Sequence, residues 1–130
     1  MIKQYVYIST AVGLSREEVN AILETCARNN AEQDVTGLLL YNGRNFLQLL
    51  EGQGERLDRL MSVIETDKRH SGVLVMHKDD VEQRVCPDWA MKLIAISEAI
   101  EVRQQRLEEE LPATIDPAIR KLVLNFAMLN

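Results

Sequence analysis

The sequence predicts an α+β fold: a ferredoxin-like βαββαβ unit with a fifth strand and two further helices. Segments with strand and helix periodicity alternate in this order along residues 1–96. Within the segment 45–52, residues 46–50 are apolar on both alternating faces except at Gln48, which is typical of a strand in the middle of a covered sheet. Both helices of a βαββαβ unit lie on one face of its sheet. The helical patterns after residue 97 are therefore expected to cover the other face.

The first strand and the first helix are predicted from local composition. Residues 3–9 are rich in aromatic and β-branched side chains, and alternation places Tyr7 on one face of this strand. Ser15 and Glu18 then form a capping box, the pattern in which two side chains satisfy the free backbone amides at a helix start.

The apolar stripe of the first helix leads into two asparagines. If the helical spacing continues, Asn29 and Asn30 occupy the next positions of the buried face. A plain helix C-terminus is the alternative, because Asn often ends helices, although this explains two adjacent Asn less well. The stripe consists of Val19, Ile22, Leu23 and Cys26.

The second and third strands are predicted to form a hairpin around Asn42-Gly43, a pair that favours tight turns. Gly37 inside the second strand indicates a bulge or a close approach by another group. Gln48 is the one polar residue in the apolar run of the third strand. A buried carboxamide without partners costs about 1–3 kcal/mol, so something must satisfy it. An ordinary backbone or side-chain partner is the simplest explanation for a lone buried Gln.

The later elements follow from the same patterns. The fourth segment begins apolar and becomes polar, which fits a strand at the edge of the sheet. The predicted elements are a helix at 55–66, the edge strand at 73–82, a fifth strand at 89–96 and helices near 99–111 and 116–129.

Composition restricts the class of function. The chain has 130 residues and a net charge of -5, which fits one domain and argues against binding nucleic acid. No signal peptide and no membrane-spanning segment are evident. Cys26 and Cys86 lack metal or redox spacing and are expected to be free thiols in the cytoplasm. His70 and His77 are too isolated to predict a metal site.

The candidate site is a polar cluster formed by Tyr7, Asn29, Asn30 and Gln48. The cluster contains no strong acid or base, so hydrolysis is not expected, and we interpret the chain as a non-enzyme. Amides and a phenol are suited to hydrogen-bonding a flat, uncharged heteroaromatic ring that has carbonyl and imide edges. A flavin is such a ring.

At these positions the chain resembles a BLUF domain, a flavin-binding blue-light sensor, of the short stand-alone type. The resemblance covers about residues 2–96 in order and with compatible spacing. It implies a flavin-binding domain at 1–96 and a C-terminal helical extension at 97–130 packed on the same domain. The matching positions are Tyr7, Ser9, 28–30, 36–39, 46–48, 50–52, Asp67, Arg69, His70, Trp89 and Met91.

The resemblance implies a role for each residue of the polar cluster. Tyr7 matches the photochemical electron and proton donor, and Gln48 matches the amide between that phenol and the N5/O4 side of the flavin. Asn30 matches the residue that holds the O4/N3 edge of the ring. Asn29 is expected beside the ring.

The resemblance also assigns residues outside this cluster. Arg69 and His70 match positions near the polar end and the second face of the flavin. Both follow a helix end, where interaction of a cation with the helix dipole is the simpler explanation. Trp89 and Met91 match the strand that responds when the Gln side chain reorients. A core anchor and a core filler are the default roles of these two residue types.

The leading hypothesis is a photoreceptor module with a non-covalently bound flavin, FAD or else FMN. The flavin supplies the chemistry, and the protein supplies orientation and hydrogen bonds. We expect the signal to pass through the fifth strand and the C-terminal helices to a downstream signalling protein or into a homo-oligomer. This expectation follows because no output enzyme accompanies the domain in this sequence.

A ferredoxin-like protein that binds a small ligand, or a dimeric enzyme of the same fold without flavin photochemistry, is the alternative hypothesis. In that case Asn30 and Gln48 would be satisfied by neighbouring protein groups. The colour of the purified protein distinguishes the two hypotheses.

Overall fold

The computed structural model describes residues 1–86, 91–95 and 100–128. The predicted element order is confirmed, although Trp89 lies outside the described residues. No helix in the described ranges is long and apolar enough to cross a membrane. The elements are β1 (Ile2–Thr10), α1 (Arg16–Gln33), β2 (Thr36–Tyr41), β3 (Asn45–Gln53), α2 (Gly54–Thr66), β4 (Ser71–Val81), β5 (Lys92–Ala95), α3 (Ile100–Glu110) and α4 (Pro117–Met128).

The five strands form one sheet in the order β4-β1-β3-β2-β5. The pairs β1/β3, β1/β4 and β2/β3 are antiparallel, and β2/β5 is parallel. β3 is therefore the central strand, as its apolar run predicts. β4 lies at the edge, which confirms the interpretation of its polar second half. The described part of β5 is shorter than the predicted strand at 89–96.

The sheet is covered on both faces, and each face has its own apolar cluster. The cluster under α1 and α2 includes Tyr5, Tyr7, Leu39, Phe46, Leu50, Leu57 and Met61. The cluster under α3 and α4 includes Val6, Leu38, Leu40, Leu47, Leu49, Leu107, Ile119, Val123 and Phe126. The prediction that the C-terminal helices cover the second face is confirmed. Strand alternation places Gln48 on the face of α1 and α2.

The first helix begins at the predicted capping box and continues beyond both asparagines. Both reciprocal hydrogen bonds of the box are present. The helix ends at Gln33, and Asp34 adopts the left-handed conformation at φ 56°. Asn29 and Asn30 therefore lie inside the helix, and their alternative interpretation as helix terminators is wrong.

The close approach predicted at Gly37 is confirmed. A Cβ atom at this position would lie 1.8 Å from the backbone oxygen of Leu49 on β3. Any side chain would collide with the neighbouring strand, so only Gly permits this packing of β2 against β3.

Glu51 is a fully buried carboxylate on the face of α3 and α4. It accepts hydrogen bonds from Gln4 Nε2 at 2.9 Å, from Val85 N at 2.7 Å and from Cys86 N at 2.7 Å. A carboxylate that accepts several N–H groups offsets the cost of its burial. Glu51 therefore anchors the segment that follows β4 to the central strand.

Arg84 holds the same segment from the side. Its guanidinium donates to Thr36 Oγ1 at 2.9 Å, to the backbone oxygen of Glu51 at 3.1 Å and to that of Asp34 at 2.7 Å. These acceptors belong to β2, β3 and the end of α1. The connection between the edge strand β4 and the opposite edge strand β5 is thus fixed where it starts.

We expect Glu51→Ala to lower the free energy of unfolding by about 2–5 kcal/mol, because Gln4 and two buried backbone N–H groups lose their acceptor. Chemical denaturation measures this change. Glu24→Ala, on the exposed side of α1, is the control and should change stability by about 0.5 kcal/mol or less. Equal stability of the two variants would contradict the anchoring role.

Candidate functional site

The site is centred on a hydrogen bond between two buried side chains of adjacent strands. Tyr7 on β1 lies directly opposite Gln48 on β3, and both side chains project toward α1 and α2. The Tyr7 hydroxyl donates a short hydrogen bond to Gln48 Oε1. Both residues are almost completely buried. The register of the central strands thus brings the two predicted photochemical residues together.

The other end of the Gln48 amide contacts the segment that leads into β5. Gln48 Nε2 donates to Met91 Sδ at 3.4 Å, and Met91 is buried. A phenol is a strong donor, whereas a thioether sulfur is a weak acceptor. The carbonyl end of the amide is therefore held more firmly than its NH₂ end.

The environment of Tyr7 keeps its phenol protonated. Burial raises the pKa of Tyr7 well above its ordinary value of 10, and the nearby Cys26 and Asp67 act in the same direction. Desolvation disfavours the phenolate, since a buried charge loses its hydration. Tyr7 is consequently a hydrogen-bond donor toward Gln48.

Of the two adjacent asparagines of the first helix, only Asn30 is buried. Asn30 is buried, and its backbone oxygen accepts from Val35 N at 2.8 Å. Asn29 is exposed. Successive helical residues are rotated by about 100°, so adjacent residues rarely share a narrow buried stripe. The expectation that both amides lie on the buried face is therefore wrong for Asn29.

Cys26 belongs to this site, in agreement with its predicted position on the apolar stripe of the first helix, although the sequence does not predict a contact with Gln48. It packs against the cluster under α1 and α2. Burial raises the pKa of the Cys26 thiol, while Arg69 and a hydrogen bond from Gln48 partly oppose this shift. Cys26 precedes Asn30 by four residues, about one helical turn. This spacing is the feature of the sequence that places the thiol on the same side of the helix as Asn30.

His70 links the end of α2 to β1. Its Nε2 lies 2.7 Å from the backbone oxygen of Ile64, which only accepts, so Nε2–H is the donor. In the neutral ring Nδ1 then accepts from the Ser9 hydroxyl at 2.6 Å. The His70 ring lies edge-on to Tyr7 with 6.3 Å between the ring centroids. His70 thus borders the site and contacts the last turn of α2.

Arg69 lies at the open side of the site. Its guanidinium pairs with Asp67 at 2.6 Å, and the hydrogen bond from Arg69 lowers the pKa of that carboxyl. A cavity of about 230 Å³ lies between Arg69 and the first helix. The residues that line it are Leu14, Glu18, Ala21, Ile22 and Arg69.

The donor set fits a flavin. Tyr7, Gln48 and Asn30, a phenol and two carboxamides, are buried, and Tyr7 belongs to the apolar cluster under α1 and α2. These groups offer donors and acceptors for the carbonyl and imide edges of a planar ring, and the apolar walls suit its faces. Within the described part of the chain, no group of three or more His, Cys, Asp or Glu residues could hold a metal ion.

Fold and site together define a flavin-binding sensor domain. The family model for BLUF, described as sensors of blue light using FAD, matches residues 2–92. The chain belongs to the BLUF family, and it is accordingly a blue-light sensor domain that uses a flavin.

Known relatives place such a domain in larger proteins. The chain is 38% identical over 87 residues to the photoactivated adenylate cyclase subunit beta of Euglena gracilis. This match covers 65% of the chain and 10% of the relative. The structure of a bacterial light-regulated adenylyl cyclase superposes with a TM-score of 0.76 at 34% identity, over 99% of this chain and 36% of that one.

The dark-state structure of the BLUF protein BlrB has nearly the same extent as this chain. It superposes with a TM-score of 0.75 at 24% identity, and 96% of each chain is covered. At this identity the likeness shows the fold alone. The likeness extends to the C-terminal helices. The superposition covers 96% of this chain, whereas the family model matches only residues 2–92.

Proposed function

We propose that Tyr7 and Gln48 form the photochemical switch of this sensor domain. The observation that supports this most is the buried chain of contacts from Tyr7 through Gln48 to Met91. The flavin supplies the absorption of blue light and the redox chemistry. The bound flavin would be the acceptor for one electron and one proton, Tyr7 would be their donor, and the Gln48 amide would change its hydrogen bonds.

Asn30 and Gln48 would hold the polar edge of the flavin, with Tyr7 behind Gln48. Arg69, which lines the cleft, and His70 would lie toward the polar end of the flavin. Asn29 is exposed, so any contact between its side chain and the ring would be peripheral. We propose FAD as the cofactor, with FMN as the alternative. Mass spectrometry of the released cofactor distinguishes them.

The switch follows from the chemistry of the three partners. A carboxamide presents either its oxygen or its NH₂ group to the same neighbour. The Met91 sulfur accepts a hydrogen bond but cannot donate one. When Gln48 turns its oxygen toward Met91, this hydrogen bond is lost. The orientation of the amide would thereby control a contact with the segment that leads into β5.

The signal would travel from β5 to the C-terminal extension, which we place at 97–130 on the same domain as 1–96. β5 pairs with β2 in parallel, and β2 contributes Leu38 and Leu40 to the cluster under α3 and α4. A local change of hydrogen bonding thus reaches the opposite face of the sheet through packed elements.

We further propose that the chain acts in the cytoplasm through a downstream signalling protein and self-association, without catalysing a reaction itself. A purified protein that is colourless and cannot be reconstituted with flavin would contradict this proposal. That result would favour a small-ligand-binding protein or a dimeric enzyme of the same fold.

Tyr7→Phe should retain bound flavin but lose the reversible red shift of its absorption spectrum, because the phenolic donor is gone. Spectra recorded in the dark and after blue light measure this. The matched control is Tyr5→Phe, which removes a hydroxyl from the same strand face, where it bonds Asp58, and should keep the shift. A normal shift in Tyr7→Phe would disprove the assignment.

Asn30→Ala should weaken flavin binding about 5- to 150-fold, because an imide group left unpaired costs about 1–3 kcal/mol. Titration of the apoprotein with flavin measures the affinity. Asn29→Ala, which removes the adjacent exposed amide, should change the affinity by about twofold or less. If the two variants lose affinity equally, Asn30 has no special role at the ring edge.

Gln48→Leu should fold and bind flavin, but its spectrum should not move on illumination. Leu has similar bulk and offers no hydrogen bond to Tyr7 or Met91. The dark spectrum should also differ from that of the wild type, because the N5/O4 side of the ring loses its donor. If the variant shows the wild-type reversible shift, Gln48 is only a buried amide satisfied by its neighbours.

A further inference from the structure

The loop between β1 and α1, residues 11–14, forms part of the wall of the cleft, the cavity of about 230 Å³ between Arg69 and α1. Leu14, the residue before the cap of α1, lines this cleft together with Ile22. Both side chains also pack against the apolar cluster that contains Tyr7. A displacement of Leu14 would therefore change the shape of the cleft beside the photochemical site.

The β2–β3 hairpin holds this loop through backbone hydrogen bonds. Ala11 N donates to the backbone oxygen of Arg44 at 2.8 Å, and Gly13 N donates to that of Gly43 at 3.1 Å. Gly13 turns the chain with a φ of 74°, in the left-handed region that favours glycine. These bonds fix the loop at residues 11 and 13. The backbone N–H of Leu14, whose side chain lines the cleft, is held by a different group.

That group is the hydroxyl of Tyr41 on β2. The hydroxyl accepts a hydrogen bond from Leu14 N at 3.1 Å and donates one to the backbone oxygen of Ala11 at 2.6 Å. A single hydroxyl thus joins the two ends of the loop. The ring that carries it packs on the buried Phe46, with 4.6 Å between the ring centroids. A hydroxyl on a packed ring has little freedom, so it holds both backbone groups in place.

We propose that Tyr41 is a positioning residue for the flavin, which acts through Leu14 and needs no contact of its own with the ring. Its hydroxyl would hold Leu14 and the start of α1 at the separation from Arg69 that the cofactor fits. A wall that is fixed before binding avoids the entropic cost of ordering the loop when the flavin enters. This inference rests on the proposed placement of the flavin at the cleft.

Tyr41→Phe isolates the contribution of the hydroxyl. The phenylalanine ring can keep the packing on Phe46, whereas Leu14 N and the oxygen of Ala11 lose their shared partner. The dissociation constant for FAD should rise about 5- to 30-fold, because the loop must then be ordered on binding. Titration of the apoprotein with FAD measures this change.

A double-mutant cycle tests whether Tyr41 acts through Leu14. Leu14→Ala removes the side chain that lines the cleft and should raise the FAD dissociation constant about fivefold or more. If the hydroxyl serves to place this side chain, its removal matters little once the side chain is gone. The double variant Tyr41→Phe/Leu14→Ala should therefore bind FAD within about threefold of Leu14→Ala alone.

Tyr5→Phe is the matched control. It also removes a hydroxyl from a tyrosine of the cluster under α1 and α2, but this hydroxyl bonds Asp58 on α2 and not the loop. Its FAD dissociation constant should stay within about twofold of the wild-type value. Chemical denaturation of each apoprotein is measured in parallel. If Tyr41 were only a structural residue, affinity would follow stability in both tyrosine variants.

Four results would overturn the proposal. They are an unchanged affinity in Tyr41→Phe, an unchanged affinity in Leu14→Ala, effects of these two changes that multiply in the double variant, and an equal loss of affinity in Tyr5→Phe. The spectrum before and after blue light is recorded for every variant and should show the reversible shift in Tyr41→Phe. A wild type without this shift would reject the photochemical switch, whereas the FAD affinities would still decide the role of Tyr41.

Discussion

The structure depends on one constraint, the need to satisfy the carboxamide of Gln48 in the middle of the sheet. Burial of this amide on the central strand requires a partner for each of its ends. Tyr7 supplies a strong donor from the neighbouring strand, and Met91 supplies a weak acceptor from the segment before β5. The strong bond to Tyr7 and the weak bond to Met91 are the asymmetry on which the proposed switch rests.

The central strand β3 connects the two faces of the molecule. Gln48 projects toward α1 and α2, whereas Glu51 projects toward the opposite face and anchors the chain beyond β4 through two backbone amides. Met91 therefore lies only a few residues after Val85 and Cys86, whose backbone amides Glu51 holds in place. In the proposed switch, an amide that turns on one face would act against a rigid support on the other face, and the packed elements between them would transmit the change.

Local patterns in the sequence predicted most of the architecture. The two-sided apolar run identified the central strand, the capping box located the start of α1, and the polar half of β4 identified an edge. Gln48 and Asn30 are conspicuous in the sequence because a polar residue on an apolar face violates the pattern, and both are buried. Periodicity was insufficient for Asn29, since one residue of helical rotation separates a buried position from an exposed one.

The sequence by itself determined which face of β1 and β3 a residue occupies and which stripe of α1 is buried, because periods of 2 and 3.6 residues are properties of the local backbone. Only the tertiary structure decided which faces meet. The placement of Cys26 beside Gln48, the bridge of His70 between Ser9 and Ile64 and the three donors of the Glu51 carboxylate join segments far apart in the chain. Such contacts follow from strand register and from the packing of helices on the sheet, which no local pattern encodes.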